Sequence, residues 1–164
     1  VFLEELTQRL RVTAVEGTWT GREGGCMNHT TWRRNHVFLL RLSGPPSPQL
    51  ALTLSIPRDL SSTNRPDRSV GLGMFVFKAT PDGRPSTSSR IRQTQTFMMG
   101  MDATLRVPNL APGSYLVVPC TYRPGEYAGA FKLSVIDEPA GPPPELSLLT
   151  SAEEAAAAVC VCVC

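Results

Sequence analysis

Hydrophobic and polar side chains alternate along much of this chain. The pattern is clearest at residues 49–56, where Leu50, Leu52, Leu54 and Ile56 fall on one face of an extended segment. A period of two is typical of a β-strand with one buried face. Patterns of this kind, together with β-branched and aromatic runs, predict about eight strands: residues 11–15, 36–42, 49–56, 70–79, 93–99, 103–107, 115–118 and 130–136.

Short turn signals separate these segments. Pro112-Gly113 predicts a tight turn, because proline presets φ and glycine accepts a positive φ. Pro119 and the stretch 125–129 then interrupt the extended run before alternation resumes at Phe131. Short strands joined by many turns indicate an all-β, antiparallel sandwich.

The two ends of the chain differ from this central part. Residues 1–10 place apolar side chains on one helical face, which predicts an N-terminal linker or the end of an upstream domain. Residues 11–137 are predicted to form the sandwich. Residues 138–164 are predicted to be a Pro-rich linker and an Ala/Cys-rich tail, in which Ser151 and Glu154 fit a capping box for a short helix.

Charge is carried mainly by arginine. The 164 residues have a net charge of +2, which does not call for nucleic acid, and only Lys78 and Lys132 are lysines. Guanidinium groups make bidentate contacts with carboxylates and phosphates. Seven arginines in loops or at strand ends therefore form a candidate contact for an anionic partner or phospholipid, with scattered solubilising charge as the alternative. They are Arg33, Arg34, Arg65, Arg68, Arg84, Arg90 and Arg92.

A catalytic site is not predicted. Cys26, with His29 or His36 and with Asn28 or Asn35, has the composition of a cysteine-protease site, but all five residues lie within one Gly-rich loop and its exit. A nucleophile and its base need separate rigid elements that hold them in register. We therefore expect Cys26 and Cys120 to be small buried residues.

No cofactor is predicted. Alternating Cys160, Cys162 and Cys164 would hold their thiols too close together for tetrahedral zinc, so an oxidation-prone tail is expected. Calcium needs converging carboxylates, and no Asp-x-Asp occurs, so a calcium site lacks a clustered acidic loop.

The compartment is predicted from further absences in the sequence. No apolar run is long enough for a membrane helix, and the first residues lack the features of a signal peptide. Two internal cysteines do not make a disulfide framework. We expect a cytoplasmic protein, with membrane or cytoskeletal association as the alternative. A chain that begins at Val1 is expected to be a piece of a longer protein.

An ordered set of motifs resembles a known family. They are Gly17-Thr18-Trp19, Gly24-Gly25-Cys26, Asn28, Trp32, Asn35-His36, Val70-Gly71, Pro112-Gly113-Ser114-Tyr115, Pro119-Cys120-Thr121-Tyr122 and Gly129-Ala130-Phe131. Over residues 11–136 they resemble the C2-like β-sandwich of calpains, the module that follows the cysteine protease core. His36 stands where the family has proline. The best candidate for the family's acidic loop, residues 57–69, balances Asp59 and Asp67 with three arginines.

The resemblance implies structural roles for the motif residues. Those expected to maintain the sandwich are Trp19, Gly24, Gly25, Cys26, Trp32, Pro112, Gly113, Tyr115, Pro119, Tyr122 and Phe131. It also implies a non-catalytic regulatory module that docks onto a protease core, an acidic phospholipid or a protein partner. A structural component of a larger assembly is the first alternative. A fragment of a calcium-dependent cysteine endopeptidase with an upstream core is the second. We expect a protein partner, with an anionic membrane surface as the other candidate and no nucleic acid.

Overall fold

Two antiparallel sheets pack face to face, as the sequence predicts. The computed structural model describes residues 10–57, 70–94, 97–99, 102–151 and 154. Its strands, numbered in chain order, are β1 (Arg11–Thr20), β2 (Val37–Leu42), β3 (Ala51–Ser55), β4 (Gly71–Lys78), β5 (Arg90–Gln93), β6 (Met98–Met99), β7 (Asp102–Arg106), β8 (Gly113–Thr121), β9 (Ala128–Asp137) and β10 (Glu145–Thr150).

The strand order is not the chain order. The first sheet runs β1-β9-β3-β7, and the second runs β10-β2-β8-β4-β5, with β6 also paired to β4. Every strand pair is antiparallel. The connections therefore cross from one sheet to the other, which closes the sandwich around one core.

The main core lies between the sheets. Leu52 and Leu54 of β3 are completely buried, and their register places Leu52 between Leu105 of β7 and Val135 of β9. Near one edge, the Trp19 ring stacks on Phe131 with ring centroids 4.4 Å apart. The alternation seen in the sequence thus becomes the division between core and solvent faces.

The centre of the second sheet is buried on both faces. Every residue of β4 from Gly71 to Phe77 is buried, and its apolar run is typical of a strand covered on both sides. On the outer face a second apolar cluster forms, covered by residues 21–36, which we call the covering loop. The buried members of this second apolar cluster are Cys26, Trp32, Val37, Phe75, Phe77, Leu116, Val118 and Cys120.

The described residues form ten strands, two more than the approximate number predicted. β10 lies inside the segment predicted to be linker and tail. It forms a strand there because it pairs with β2 and because Leu146 packs against the main core. The predicted strand 93–99 differs from the structure, in which β5 begins earlier, at Arg90, and ends at Gln93, while β6 covers Met98–Met99. Directly after β5, the Thr94 side chain bonds to both backbone groups of Met74, at 2.9 and 3.2 Å.

At the C-terminal end the predicted capping box is confirmed. The Ser151 amide donates to the Glu154 carboxylate at 2.8 Å, and the Glu154 amide donates to the Ser151 hydroxyl at 3.2 Å. Three predicted parts of the chain lie outside the described residues: residues 1–9, the rest of the helix predicted to follow the capping box, and the three tail cysteines. Within the described ranges, no helix is long and apolar enough to span a membrane.

Candidate functional site

A single buried amide ties the covering loop together. The Asn35 side chain is 1% exposed; its Oδ1 accepts from the Gly24 amide at 3.2 Å. Its Nδ2 donates to the carbonyls of Gly25 and Trp32, both at 2.7 Å. The two ends of the loop are therefore joined through one side chain.

The paired glycines allow this close packing. A Cβ on Gly24 would lie 1.6 Å from the Thr31 carbonyl oxygen, so no other residue fits there. Gly25 has φ +74°, and a Cβ there would lie 2.7 Å from the Pro124 nitrogen. The Cys26 amide then donates to the Tyr122 carbonyl at 3.3 Å. The Gly-Gly-Cys motif thus fastens the loop to the β8–β9 turn.

The loop rests on aromatic side chains. Trp32 stacks on Phe77 of β4, with ring centroids 5.7 Å apart and planes within 16°. The Arg33 guanidinium lies 4.9 Å from the centroid of the Trp32 ring, a cation–π distance. An exposed cation is therefore held over a buried aromatic stack.

The carboxylates nearest the loop are engaged by the backbone. Glu23 is buried and accepts from the amides of Thr20, Gly21 and Arg22 at 2.7, 2.9 and 3.0 Å. These bonds satisfy the charge of Glu23 locally.

Glu126 is engaged in the same way. Its carboxylate accepts from the amides of Gly71 and Arg123 at 3.3 and 3.1 Å. Backbone donors rather than arginine side chains therefore compensate both carboxylates.

The structure brings three of the seven predicted arginines together. Arg33 and Arg34 are exposed on the covering loop. Arg90 reaches the same loop, since its Nη1 lies 3.8 Å from the Met27 sulfur. These three share the outer side of the second sheet.

Two of the other predicted arginines lie elsewhere. Arg92 pairs with Val76, whose side chain belongs to the main core, so Arg92 projects to the opposite side of β5 from Arg90. Arg84 lies in the turn after β4, where its amide donates to the Asp82 carboxylate at 3.1 Å. Arg65 and Arg68 lie outside the described residues.

Two arginines near the loop were not predicted. Arg22 is exposed within it, and Arg123 is exposed on the turn that packs against Gly25. Within the described part of the chain, none of the five arginines on this side forms an ion pair. We call the covering loop and the outer side of the second sheet the loop-covered face. Its arginines are Arg22, Arg33, Arg34, Arg90 and Arg123.

A cleft of about 720 Å³ opens on the loop-covered face, between the covering loop and β5. Its apolar lining includes Met27, Phe75 and Phe97, and Arg90 and Asn28 are among its polar groups. Concave apolar sites with a few polar groups are the usual form of binding sites.

The residues that imitate a protease site have structural roles. The Asn35 amide is fully occupied by the loop backbone, as described above. His36 lies within 3.0 Å of the Thr18 carbonyl and packs against Phe131 on the core side. Cys26, the cysteine of that set, is 1% exposed. Outside the set, burial together with nearby Cys26 raises the pKa of the Cys120 thiol well above its ordinary value. A neutral buried thiol is a poor nucleophile.

The remaining motif residues support the strands. The Tyr115 hydroxyl donates to the Ala111 carbonyl at 2.6 Å, closing the Pro112-Gly113 turn that opens β8. Pro119 lies beyond the last residue of β8 that pairs with β2, so its missing amide breaks no bond of that ladder.

Three acidic residues that could contribute calcium ligands lie on different elements. Asp82 is in the turn after β4, Asp102 begins β7, and Glu126 is in the β8–β9 turn. Among the residues that the structure describes, no three His, Cys, Asp or Glu side chains are grouped as metal ligands.

The fold and motifs together define a β-sandwich module. A family model described as calpain large subunit, domain III, matches residues 15–136. The chain belongs to this domain III family, and the resemblance seen in the sequence is confirmed.

Two further similarities were found. A protein of Dictyostelium discoideum named serine/threonine-protein kinase 4 homolog B is 30% identical over 135 residues, which cover 77% of this chain and 11% of that protein. The chain thus spans about a tenth of that relative. A chain in the structure of black queen cell virus aligns with a TM-score of 0.40 and 14% identity, over 88% of this chain and 72% of that one.

Proposed function

We propose that this chain is a binding module that docks its loop-covered face onto an acidic surface of a protein. The observation that carries the proposal is the group of five arginines without a carboxylate partner among the described residues. Unpaired surface cations attract an acidic partner and speed its association.

The relatives support a role separate from catalysis. The family takes its name from the calpain large subunit, whereas the Dictyostelium relative is named as a kinase. A module that occurs with two different catalytic chemistries is better suited to docking than to either reaction. The protein to which the module belongs and the expected cytoplasmic location stay predictions.

A protein surface fits this face better than a lipid surface does. The cations described on it are arginines, whose planar groups bind carboxylates and phosphates alike, so the shape of the face decides between the two surfaces. One of them, Arg90, also lines a concave cleft, which can receive the projecting side chains of a protein.

The proposal is tested by biolayer interferometry on the immobilised 164-residue chain. The probes are soluble poly-L-glutamate and, separately, vesicles of phosphatidylcholine with phosphatidylserine, each over a salt series. The double variant Arg33→Glu/Arg123→Glu is compared with the matched control Lys78→Glu/Arg106→Glu, which lies outside the loop-covered face.

We expect salt-sensitive binding of poly-L-glutamate that is lost in the first variant and kept in the control. Equal loss in both variants, or no binding by the parent chain, would contradict the proposal. Vesicle binding without poly-L-glutamate binding would replace the protein surface with a membrane.

A further inference from the structure

The cleft on the loop-covered face has the features of a peptide site. We propose that it receives an extended acidic segment of the partner, with an apolar side chain on its aromatic floor and a carboxylate on Arg90. This inference rests on the proposed function and identifies where recognition occurs.

The floor of the cleft is aromatic and partly open. Phe97 meets Tyr122 edge to face with ring centroids 5.3 Å apart, and it meets Phe75 at 6.4 Å. Tyr122 is 42% exposed, whereas Phe75 is almost buried. An incoming aromatic or aliphatic side chain would cover this apolar surface, which favours binding.

A glycine allows Phe97 to lie close to the sheet. The Phe97 ring lies directly on Gly73 of β4, where a Cβ would be 2.5 Å from a ring carbon. Behind it, the Thr94 side chain is fixed to both backbone groups of Met74. The floor is therefore formed by aromatic side chains packed directly against β4.

Arg90 supplies the charge at one wall. Within the described ranges its guanidinium has one polar contact, the Met27 sulfur at 3.8 Å. A thioether is only a weak acceptor, so the guanidinium retains donors for a carboxylate. The register opposite Phe77 turns Arg90 toward the outer side of the sheet.

The other polar lining suits a peptide backbone. Asn28, Thr87 and Gln93 lie around the same cleft and offer both donors and acceptors. Among the described residues that line the cleft, one is an arginine. Lipid phosphates are usually bound by several clustered cations, whereas a single cation beside mixed polar groups fits a peptide with one well-placed carboxylate. The volume of about 720 Å³ is within the common range for ligand sites.

The test is fluorescence anisotropy of the 164-residue chain with a labelled peptide, Glu-Asp-Phe-Leu-Asp-Glu. Two altered peptides replace the central apolar pair by alanines or all acids by lysines. Arg90→Glu is compared with Arg92→Glu, a matched change two residues away on the opposite side of β5. Both arginines are exposed, so circular dichroism is expected to show the same melting temperature for both variants.

We expect Arg90→Glu to weaken peptide binding about tenfold or more, and Arg92→Glu to change it less than about twofold. Both altered peptides should bind weakly. Equal effects of the two variants would overturn the cleft as the peptide-binding site while leaving the proposed function intact. Binding of poly-L-glutamate without binding of the peptide would do the same. If Arg90→Glu weakened vesicle binding but not peptide binding, the cleft would be a lipid site and not a peptide site. Failure of every acidic probe would overturn the proposed function itself.

Discussion

Replacing Asn35 by alanine should destabilise the whole domain, because this side chain ties the covering loop to itself. The variant Asn35→Ala removes three hydrogen bonds, of 3.2, 2.7 and 2.7 Å, from a buried site. At about 1 kcal/mol for each bond, the expected loss is about 3 kcal/mol. That is a large part of the roughly 5–15 kcal/mol that stabilises a typical domain.

Urea denaturation followed by circular dichroism and tryptophan fluorescence measures this loss. With a slope of about 2 kcal/mol/M, the midpoint should fall by about 1.5 M. Trp32 should also become more exposed in the folded variant, shifting its emission to longer wavelength. The matched control is Asn28→Ala, an exposed position in the same loop, with an expected change within about 0.5 kcal/mol. Similar midpoints for the two variants would refute the role given to the Asn35 amide.

Further predictions concern other contacts. Tyr115→Phe should lower the free energy of unfolding by about 1 kcal/mol in urea denaturation, because it removes the bond to Ala111; an unchanged midpoint would contradict this. Cys120 should react with a thiol reagent only after urea is added, since it is completely buried; rapid labelling of the folded chain at Cys120 would contradict its placement. Because burial raises the pKa of the folded Cys120 thiol, its contribution to stability is complete below about pH 8.5 and is lost as pH rises toward the folded pKa. Denaturation between pH 7 and 10 should therefore show a shallower decline for Cys120→Ala than for the parent, and equal slopes would contradict the shift. Gly73→Ala should displace Phe97 and weaken peptide binding, whereas unchanged binding would show that the floor does not depend on this contact.

The sequence predicted the strands whose side chains alternate. β3 is the clearest example. Only one of its faces is buried, so Leu52 and Leu54 alternate with less buried residues and the period of two is visible in the sequence. β10 was missed because it follows three prolines, and its pairing with β2 depends on a distant part of the chain. A local pattern contains no information about which open edge a strand will meet.

The binding face was only partly predictable for the same reason. The sequence predicts Arg33 and Arg90 as contact residues, but not that they lie on the same side of the fold. That placement depends on tertiary packing, in which Arg33 lies over Trp32 and Arg90 contacts Met27. Arg92 was selected equally and lies on the opposite side, since an irregularity in the register between β4 and β5 determines its direction. Arg123 was missed because nothing in its sequence neighbourhood indicates that its turn packs against Gly25.

The most direct test of acidic docking by the loop-covered face is a nuclear magnetic resonance titration. The chain labelled with ¹⁵N is titrated with poly-L-glutamate at low salt, and amide shifts are mapped onto the fold. Shifts concentrated at residues 22–34, 87–93 and 122–124, with the outer side of the first sheet unchanged, are the predicted result. Shifts centred on β1, β3, β7 and β9, or no shifts at any residue, would contradict docking through this face.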